Sequence, residues 1–403
     1  MRIVALNIRA TQGGAGRAGY DLHHRLRAAG HDMSLLYGYG SGIAPDPAVA
    51  GEPDVAMLGS RAAVLANYAA HLLIGREAVL ASAARLRAAV ADADVVHLHA
   101  AHHWYLHWTG LMRMLADSGK PVVLTAHDWW LVSGRCAIPR DCTGWRRGCG
   151  ECGPRRFEDL PVLVDRSRAI RRERHAALRL LGERLTLVCP SHHLARDHRM
   201  ALPDLRIARI ANALDREFER ALAAATPESS RRGHLFCAAD LCAPGKIDAE
   251  LVRALLAEPG ISVALVGRGD PCGDPRAVHH GEVRSRDQLA ALYRGAHALL
   301  FTSQMDNAPL TILEALSAGC YVVAYASPAA QEMLAEVGGR CVHSAAEALA
   351  VVRAGREAAL YGGISPAELA RRARRAWSGA AMTQAYLGLY AAASARTGAK
   401  RAA

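Results

Sequence analysis

Short, fully apolar runs recur along the chain, separated by longer Ala-, Leu- and Arg-rich stretches whose apolar positions follow a helical period. The runs Arg2–Ile8, Met33–Leu36, Val95–Leu98, Val122–Thr125, Thr186–Cys189 and Ile207–Ile210 read as strands. After a polar seam, TPESSRRG at 226–233, the pattern restarts with Leu235–Ala238, Ile261–Val266, Ala298–Phe301 and Tyr321–Ala324. Amphipathic helical segments lie between them, among them Tyr20–Ala29, Asp248–Leu256, Arg286–Ala296 and Leu310–Ala318. Apolar strands alternating with helices predict an α/β architecture of parallel sheets covered on both faces. The restart predicts two doubly wound domains joined near 214–232, with the ligand in a cleft at the carboxyl ends of their strands.

Composition narrows the class. The 403 residues suit two to three domains, and 51% hydrophobic with 22% charged residues excludes disorder, collagen and coiled coil. The net charge of +11 rests on arginine: Lys120, Lys246 and Lys400 are the only lysines among 49 basic residues. A basic balance invites nucleic acid, but that partner needs stacked aromatics and a contiguous basic face. Here aromatics are 5% and the arginines are dispersed among 38 acids, so no nucleic-acid partner is expected. RIVALNI follows Met1 at once, and the weakly apolar stretch 62–74 is too short to span a bilayer, so the expected location is cytoplasmic. In that compartment the ten cysteines read as core residues or metal ligands before disulfides.

Several segments carry candidate chemistry. Gly14-Ala15-Gly16-Arg17-Ala18-Gly19 matches G-x-G-x-x-G, but Arg9–Gln12 separate it from the strand and MSLL ends without an acid. A dinucleotide site is therefore not expected; a glycine turn admitting a phosphate, with a helix opening at Arg17–Tyr20, is. Asp92-Ala93-Asp94 resembles a metal-binding Asp-x-Asp but reads as a solvated helix end. His97, His99, His102, His103 and His107 crowd the next strand and loop, where Trp104, Tyr105 and Trp108 offer a platform for a sugar or equally a packed helix face. His127 stands at the tip of the strand VVLT, where a group titrating near neutrality can exchange a proton or hydrogen bond with a ligand. Cys136, Cys142, Cys149 and Cys152 form C-x5-C-x6-C-x2-C in a Gly/Arg-rich insert spanning 133–155, for which structural zinc, disulfides and packed thiols all remain open. Lys246 lies in a strand-end loop, and Arg268 follows another strand into a glycine turn. In LLFTSQMDNAPLTILEALSAGCYVVAY (299–325) a buried strand delivers Asp306 in a loop before a helix that opens near Leu310 and carries Thr311 and Glu314. Free N–H groups there suit a diphosphate, and Glu314 suits a ribose diol.

In order and spacing, these segments resemble the retaining GT-B glycosyltransferases of family 4, nearest the colanic-acid or exopolysaccharide branch. The resemblance rests on GGAGRAGYDLHHRLRAAGHD, VVLTAHDWWLVSGRC, CPSHHLA, AADLCAPGK, GEVRSRDQLAALYRGAHALLFTS and DNAPLTILEALSAGCYVVAY, and covers nearly the whole chain. It implies an acceptor-side domain over 1–215, a nucleotide-sugar domain over 216–375 and a closing helix over 376–403 crossing back to the first domain. It also implies transfer of a sugar from a nucleoside diphosphate, UDP favoured over GDP, to an acceptor hydroxyl with retention and without a catalytic metal. By position, Gly14 and Lys246 resemble the diphosphate contacts, and Glu282-Val283 the base loop. His127 and Asp306 resemble the catalytic-site pair, Asn307, Leu310 and Thr311 the sugar and phosphate cradle, and Glu314 the ribose acid.

Asp306 is shorter than the family's glutamate, Asp240 replaces an arginine, and Ile247 replaces a glycine; Arg17 or Arg268 are candidates for the missing charge. The implied acceptor is a sugar, a lipid-linked saccharide or a small molecule. The basic helical stretch Arg166–Arg184 is a candidate for peripheral contact with the inner membrane face. A nucleotide-sugar epimerase on the same fold and a natural-product glycosyltransferase are the alternatives.

Overall fold

A computed structural model describes residues 1–403 apart from 75–76, 78–82, 101, 103, 141, 153–164, 225–230, 358–362 and 403, and apart from the side chains of 72, 74, 356–357 and 398–402. His103, the end of the cysteine insert at 153–155 and the seam at 226–230 lie outside the described residues. The chain divides into two compact units: Met1–Ala211 with Ala380–Ala403, and Asn212–Gly379. The sequence reading placed the joints after 215 and 375.

In the first unit, strands β1 (Arg2–Asn7), β2 (Asp32–Tyr37), β3 (Val55–Met57), β4 (Val95–His99), β5 (Val122–Thr125), β6 (Leu185–Cys189) and β7 (Arg206–Arg209) form one sheet in the order β3-β2-β1-β4-β5-β6-β7. Helices α1 (Gly13–Ala28), α2 (Arg61–Ile74), α3 (Ala83–Asp92), α4 (Trp108–Ser118), α5 (Ser167–Arg179) and α6 (His192–Ala201) connect them. All the pairings are parallel, which is why Val4, Leu6, Val96, Leu98, Leu124 and Leu187 are all buried, packed with Leu86, Leu111, Leu115, Leu178 and Leu194 from the helices.

The second unit holds β8 (His234–Asp240), β9 (Val263–Arg268), β10 (Val278–Gly281), β11 (Ala298–Phe301), β12 (Tyr321–Tyr325) and β13 (Arg340–Val342), in the order β10-β9-β8-β11-β12-β13. Its helices are α7 (Arg216–Ala224), α8 (Ala249–Ala257), α9 (Arg286–Gly295), α10 (Leu310–Ser317), α11 (Pro328–Val337), α12 (Ala345–Glu357) and α13 (Pro366–Ala376). This sheet too is parallel throughout. The last helix, α14 (Gly379–Ala402), belongs to the first unit from Ala380 onward. There Tyr390 hydrogen-bonds His97 at 2.7 Å, Tyr386 lies 3.1 Å from the Thr125 hydroxyl, and Arg396 donates to Thr186 at 3.1 Å.

All ten expected strands form. Two short strands, β3 and β13, have no counterpart among the expected runs, and both, like β10, are sheet edges. An edge strand need not be apolar on both faces, and Val278 and His279 of β10 are exposed. Helix α1 starts at Gly13, not at Arg17 as expected. The Asp92-Ala93-Asp94 segment does end a helix, and Asp94 accepts the Arg2 N–H at 2.8 Å.

Among the described residues, the first unit keeps several histidines neutral by burial. Burial drives His97 down to about 3, and His23, His127 and His175 down to about 4, from an ordinary 6.5. Their pKa is lower folded than unfolded, so the unfolded chain binds protons first. The stability they allow is complete above pH 6.5 and is lost as pH falls below it. For His97 alone the loss between pH 7 and 5 is about 2 kcal/mol. The melting temperature is therefore expected to hold between pH 8 and 7 and to fall steeply from pH 6.5 to 5 in a thermal-melt series. A flat profile would contradict this.

Candidate active site

In the second unit, β8 and β11 are neighbours although the chain runs outward from them in opposite directions. Loops leaving two such strands diverge and open a crevice at the sheet's carboxyl edge. The loop after β8 carries Lys246, and the loop after β11 carries Asp306. The Lys246 ammonium donates to both Asp306 carboxylate oxygens, at 2.8 and 2.9 Å, and both side chains keep more than a quarter of their surface exposed.

The backbone beneath Lys246 is fixed. Thr302, just past β11, donates its hydroxyl to the Lys246 carbonyl at 2.9 Å and accepts the Asp248 N–H at 3.0 Å. Asp248 in turn caps α8 through the Glu250 and Leu251 N–H groups and accepts the Tyr325 hydroxyl. Gly245 sits at φ +75°, a conformation that favours glycine, and an added Cβ would stand 3.1 Å from the Met305 methyl.

Helix α10 opens behind Pro309 with no side-chain cap, so the positive end of its dipole has no capping partner from the N-cap residue. Leu310 and Thr311 form its first turn, and Glu314 lies one turn on, 4% exposed, accepting the hydroxyl of the fully buried Tyr293 at 3.3 Å. Asn307 is buried, and the Ala308 carbonyl accepts from Asn212 at 3.4 Å. Arg268 ends β9, in register with Asp240 of β8, and is exposed. Glu282 and Val283 follow β10, one strand further out, and Glu282 pairs with Arg284 at 3.3 Å. Lys246, Asp306 and α10 thus collect at the switch point, while Arg268 and the 282–283 pair stand on the next two strands. Thr302, Tyr293 and Tyr325 were missed by the sequence reading; only Thr302 had a signal, as the polar residue ending an apolar strand run.

In the first unit the switch point lies between β1 and β4. Gly13 turns the chain at φ +72°, and a Cβ on Gly14 would meet nothing within 4 Å, which leaves that side of the backbone open to a ligand. Gly16 and Gly19 differ: a Cβ at Gly19 would stand 2.7 Å from the Asn7 amide and 3.4 Å from the His99 ring. Gly19 thus serves close packing of α1 on the sheet, and Gly16 packs against Arg9 and Ala10 in the loop after β1. Arg17 is half-buried in α1.

His127 follows β5 with its Nε2 3.2 Å from Nδ1 of His99. Burial, partly opposed by Asp128, pushes its pKa to about 4, not near neutrality as the sequence suggested. The ring is therefore a neutral hydrogen-bonding group at physiological pH. Burial alone would raise the Asp128 carboxyl, but His102 at 2.9 Å and the Trp130 N–H at 2.8 Å hold it at about 2. Of the two readings open for the aromatic cluster, packing holds for Tyr105 and Trp108, which are 0% and 6% exposed within the core, while Trp104 is half-buried.

The loop after His127 is tied down by α5. Arg171 donates to the Val132 carbonyl at 2.7 Å, Arg174 to Ser133 at 2.8 Å, Arg168 to Cys149 at 3.1 Å, and His175 lies 3.0 Å from the Leu131 carbonyl. Arg174 also stacks on Trp130 at 3.4 Å. Several basic residues of the Arg166–Arg184 stretch, the candidate for membrane contact, are thus engaged in holding this loop. Cys149 accepts the Gly134 N–H at 3.1 Å, and Cys152 donates to Ser167 at 3.3 Å. Among the described residues, His23, His24 and Glu52 are the trio with ligand atoms within 4.8 Å of one another; no three of the sulfurs of Cys136, Cys142, Cys149 and Cys152 come that close. No described helix is long and apolar enough to cross a membrane.

Comparison with known proteins fits this geometry. Residues 12–218 match the family model Glycosyltransferase Family 4, and residues 275–360 match Glycosyl transferases group 1. WcaC of Escherichia coli (strain K12), provisionally named a colanic acid biosynthesis glycosyl transferase, is 31% identical over 97% of this chain and 99% of its own. HepE of Anabaena, solved in complex with UDP and glucose, superposes with a TM-score of 0.65 at 13% identity, covering 97% of this chain and all of that one. Sucrose-phosphate synthase of Thermosynechococcus elongatus gives 0.60 at 15% identity over 97% of this chain and all of its own. With two parallel sheets of matching architecture, the chain is a GT-B glycosyltransferase and belongs to Glycosyltransferase Family 4.

Proposed function

We propose that the protein transfers a sugar from a nucleoside diphosphate, UDP favoured over GDP, to an acceptor hydroxyl with retention, in the assembly of an exopolysaccharide. The observation that carries this reading is the Lys246–Asp306 pair at the switch point beside the uncapped start of α10. The naming of WcaC supports the pathway, and the UDP and UDP-glucose complexes of HepE support the donor.

As the bond from the sugar's C1 to the diphosphate breaks, negative charge builds on the departing phosphate oxygen. Lys246 and the α10 N–H groups are fixed positive partners for it, a preorganised stabilisation that needs no cation. The diphosphate takes the place of the Asp306 carboxylate on Lys246. Asp306 is then released towards the transferred sugar. Gly14 leaves its side of the backbone open to the phosphates. Glu314 binds the ribose hydroxyls, with Tyr293 holding its carboxylate. His127, neutral at physiological pH, gives or takes a hydrogen bond at the reacting sugar. The acceptor hydroxyl passes its proton to the departing phosphate oxygen as its own oxygen joins C1.

Lys246→Ala is expected to lower kcat/KM for the donor about a hundredfold, equivalent to about 3 kcal/mol of transition-state stabilisation. Thermal-shift and product assays with UDP-, GDP-, ADP- and dTDP-sugars provide the check. A correctly folded protein that neither binds nor turns over any of them would sink the proposal. Thr302→Val removes both bonds that seat the Lys246 backbone. It is expected to raise donor KM about thirtyfold, since two bonds of about 1 kcal/mol each are lost. An unchanged KM would show that Lys246 does not depend on that anchor.

A further inference from the structure

His127 stands at the end of a buried row of imidazoles. His97 and His99 lie on β4, 0% and 1% exposed, with ring centroids 3.9 Å apart. His99 and His127 stack at 5.5 Å with ring planes 24° apart, and Nδ1 of His99 is 3.2 Å from Nε2 of His127. The His99 ring has almost no freedom. One side is packed by His97, whose two nitrogens engage the Tyr390 hydroxyl at 2.7 Å and the Thr125 hydroxyl at 2.8 Å. Elsewhere it meets α1, where only the missing Cβ of Gly19 leaves room for its Cγ and Cδ2.

The protons in this row can be assigned. Nε2 of His99 is buried and has no hydrogen-bond partner. A proton there would be an orphaned buried donor, the costlier kind of unsatisfied group. On Nδ1 it makes the bond to His127. The Nε2 of His127 is then the acceptor, and its own proton lies on Nδ1.

We infer that His99 is a positioning residue that holds His127 in its Nδ1–H tautomer, so that His127 meets an oxygen of the sugar or acceptor as a hydrogen-bond donor, not as a base. The inference rests on the proposed place of His127 at the reacting sugar. It also assigns Gly19, the last glycine of the G-x-G-x-x-G run, to seating His99 and not to binding phosphate.

The tautomer is read directly on the full-length protein by histidine-selective ¹⁵N NMR, with the His127 signals assigned by their loss in His127→Gln. The expected result is a protonated Nδ1 and a bare Nε2. A protonated Nε2 on His127 overturns the inference whatever the activity. In turnover assays, His99→Phe is expected to lower kcat about tenfold to a hundredfold with donor KM unchanged, as for a misplaced catalytic group. His99→Asn, whose amide can donate near the position of Nδ1, is expected to recover most of the loss. Equal defects in the Phe and Asn variants would mark His99 as packing only and overturn the role. If His127→Gln is fully active, the placement of His127 at the sugar fails. The tautomer is still decided by the spectrum, so the two failures are told apart.

Discussion

Parallel pairing constrains everything else in this molecule. When every strand of a sheet points the same way, every loop that follows a strand emerges at one edge, and the two strands where the order reverses hold open a crevice there. In the second unit that rule brings together residues 60 positions apart in sequence, Lys246 and Asp306. Thr302 then ties the lysine's loop to β11, so the charged group rides on backbone held from two strands. A lysine whose backbone is held this way is preorganised, and in the proposed function that is the property electrostatic stabilisation of a leaving group demands.

The first unit applies the same rule to neutral groups. Its switch point gathers an open glycine turn and a row of buried histidines whose burial keeps them uncharged. The C-terminal helix takes part through Tyr386 and Tyr390, whose hydroxyls reach Thr125 and His97 across 261 and 293 positions of sequence. The switch point of the second unit thus holds a charged pair, and that of the first holds uncharged imidazoles. The α5 arginines extend this division: Arg168, Arg171 and Arg174 contribute to the formal +11 charge, but they donate to carbonyls of the loop after His127.

Legibility in the sequence followed burial. Central strands such as Ala298–Phe301 and Tyr321–Ala324 are apolar on both faces and could be read at once, whereas the edge strands β3, β10 and β13 lack that signature. Lys246 and Asp306 could be named from strand-end position, but their ion pair could not, because it depends on which strands are neighbours. His127 was legible as a strand-tip residue; its lowered pKa was not, since desolvation is a property of the fold. Tyr105 and Trp108 look the same in sequence whether they face a sugar or the core, and here they are core. The glycine run misleads in a similar way: Gly14 faces open space while Gly19 packs against Asn7 and His99.

The central claim is that the switch-point lysine exchanges its carboxylate partner for the donor's diphosphate. A crystal structure with UDP bound tests it most directly. The account predicts the Lys246 ammonium on the diphosphate, the Asp306 carboxylate released, and phosphate oxygens against the first N–H groups of α10. UDP bound elsewhere, with the Lys246–Asp306 pair intact, would contradict it.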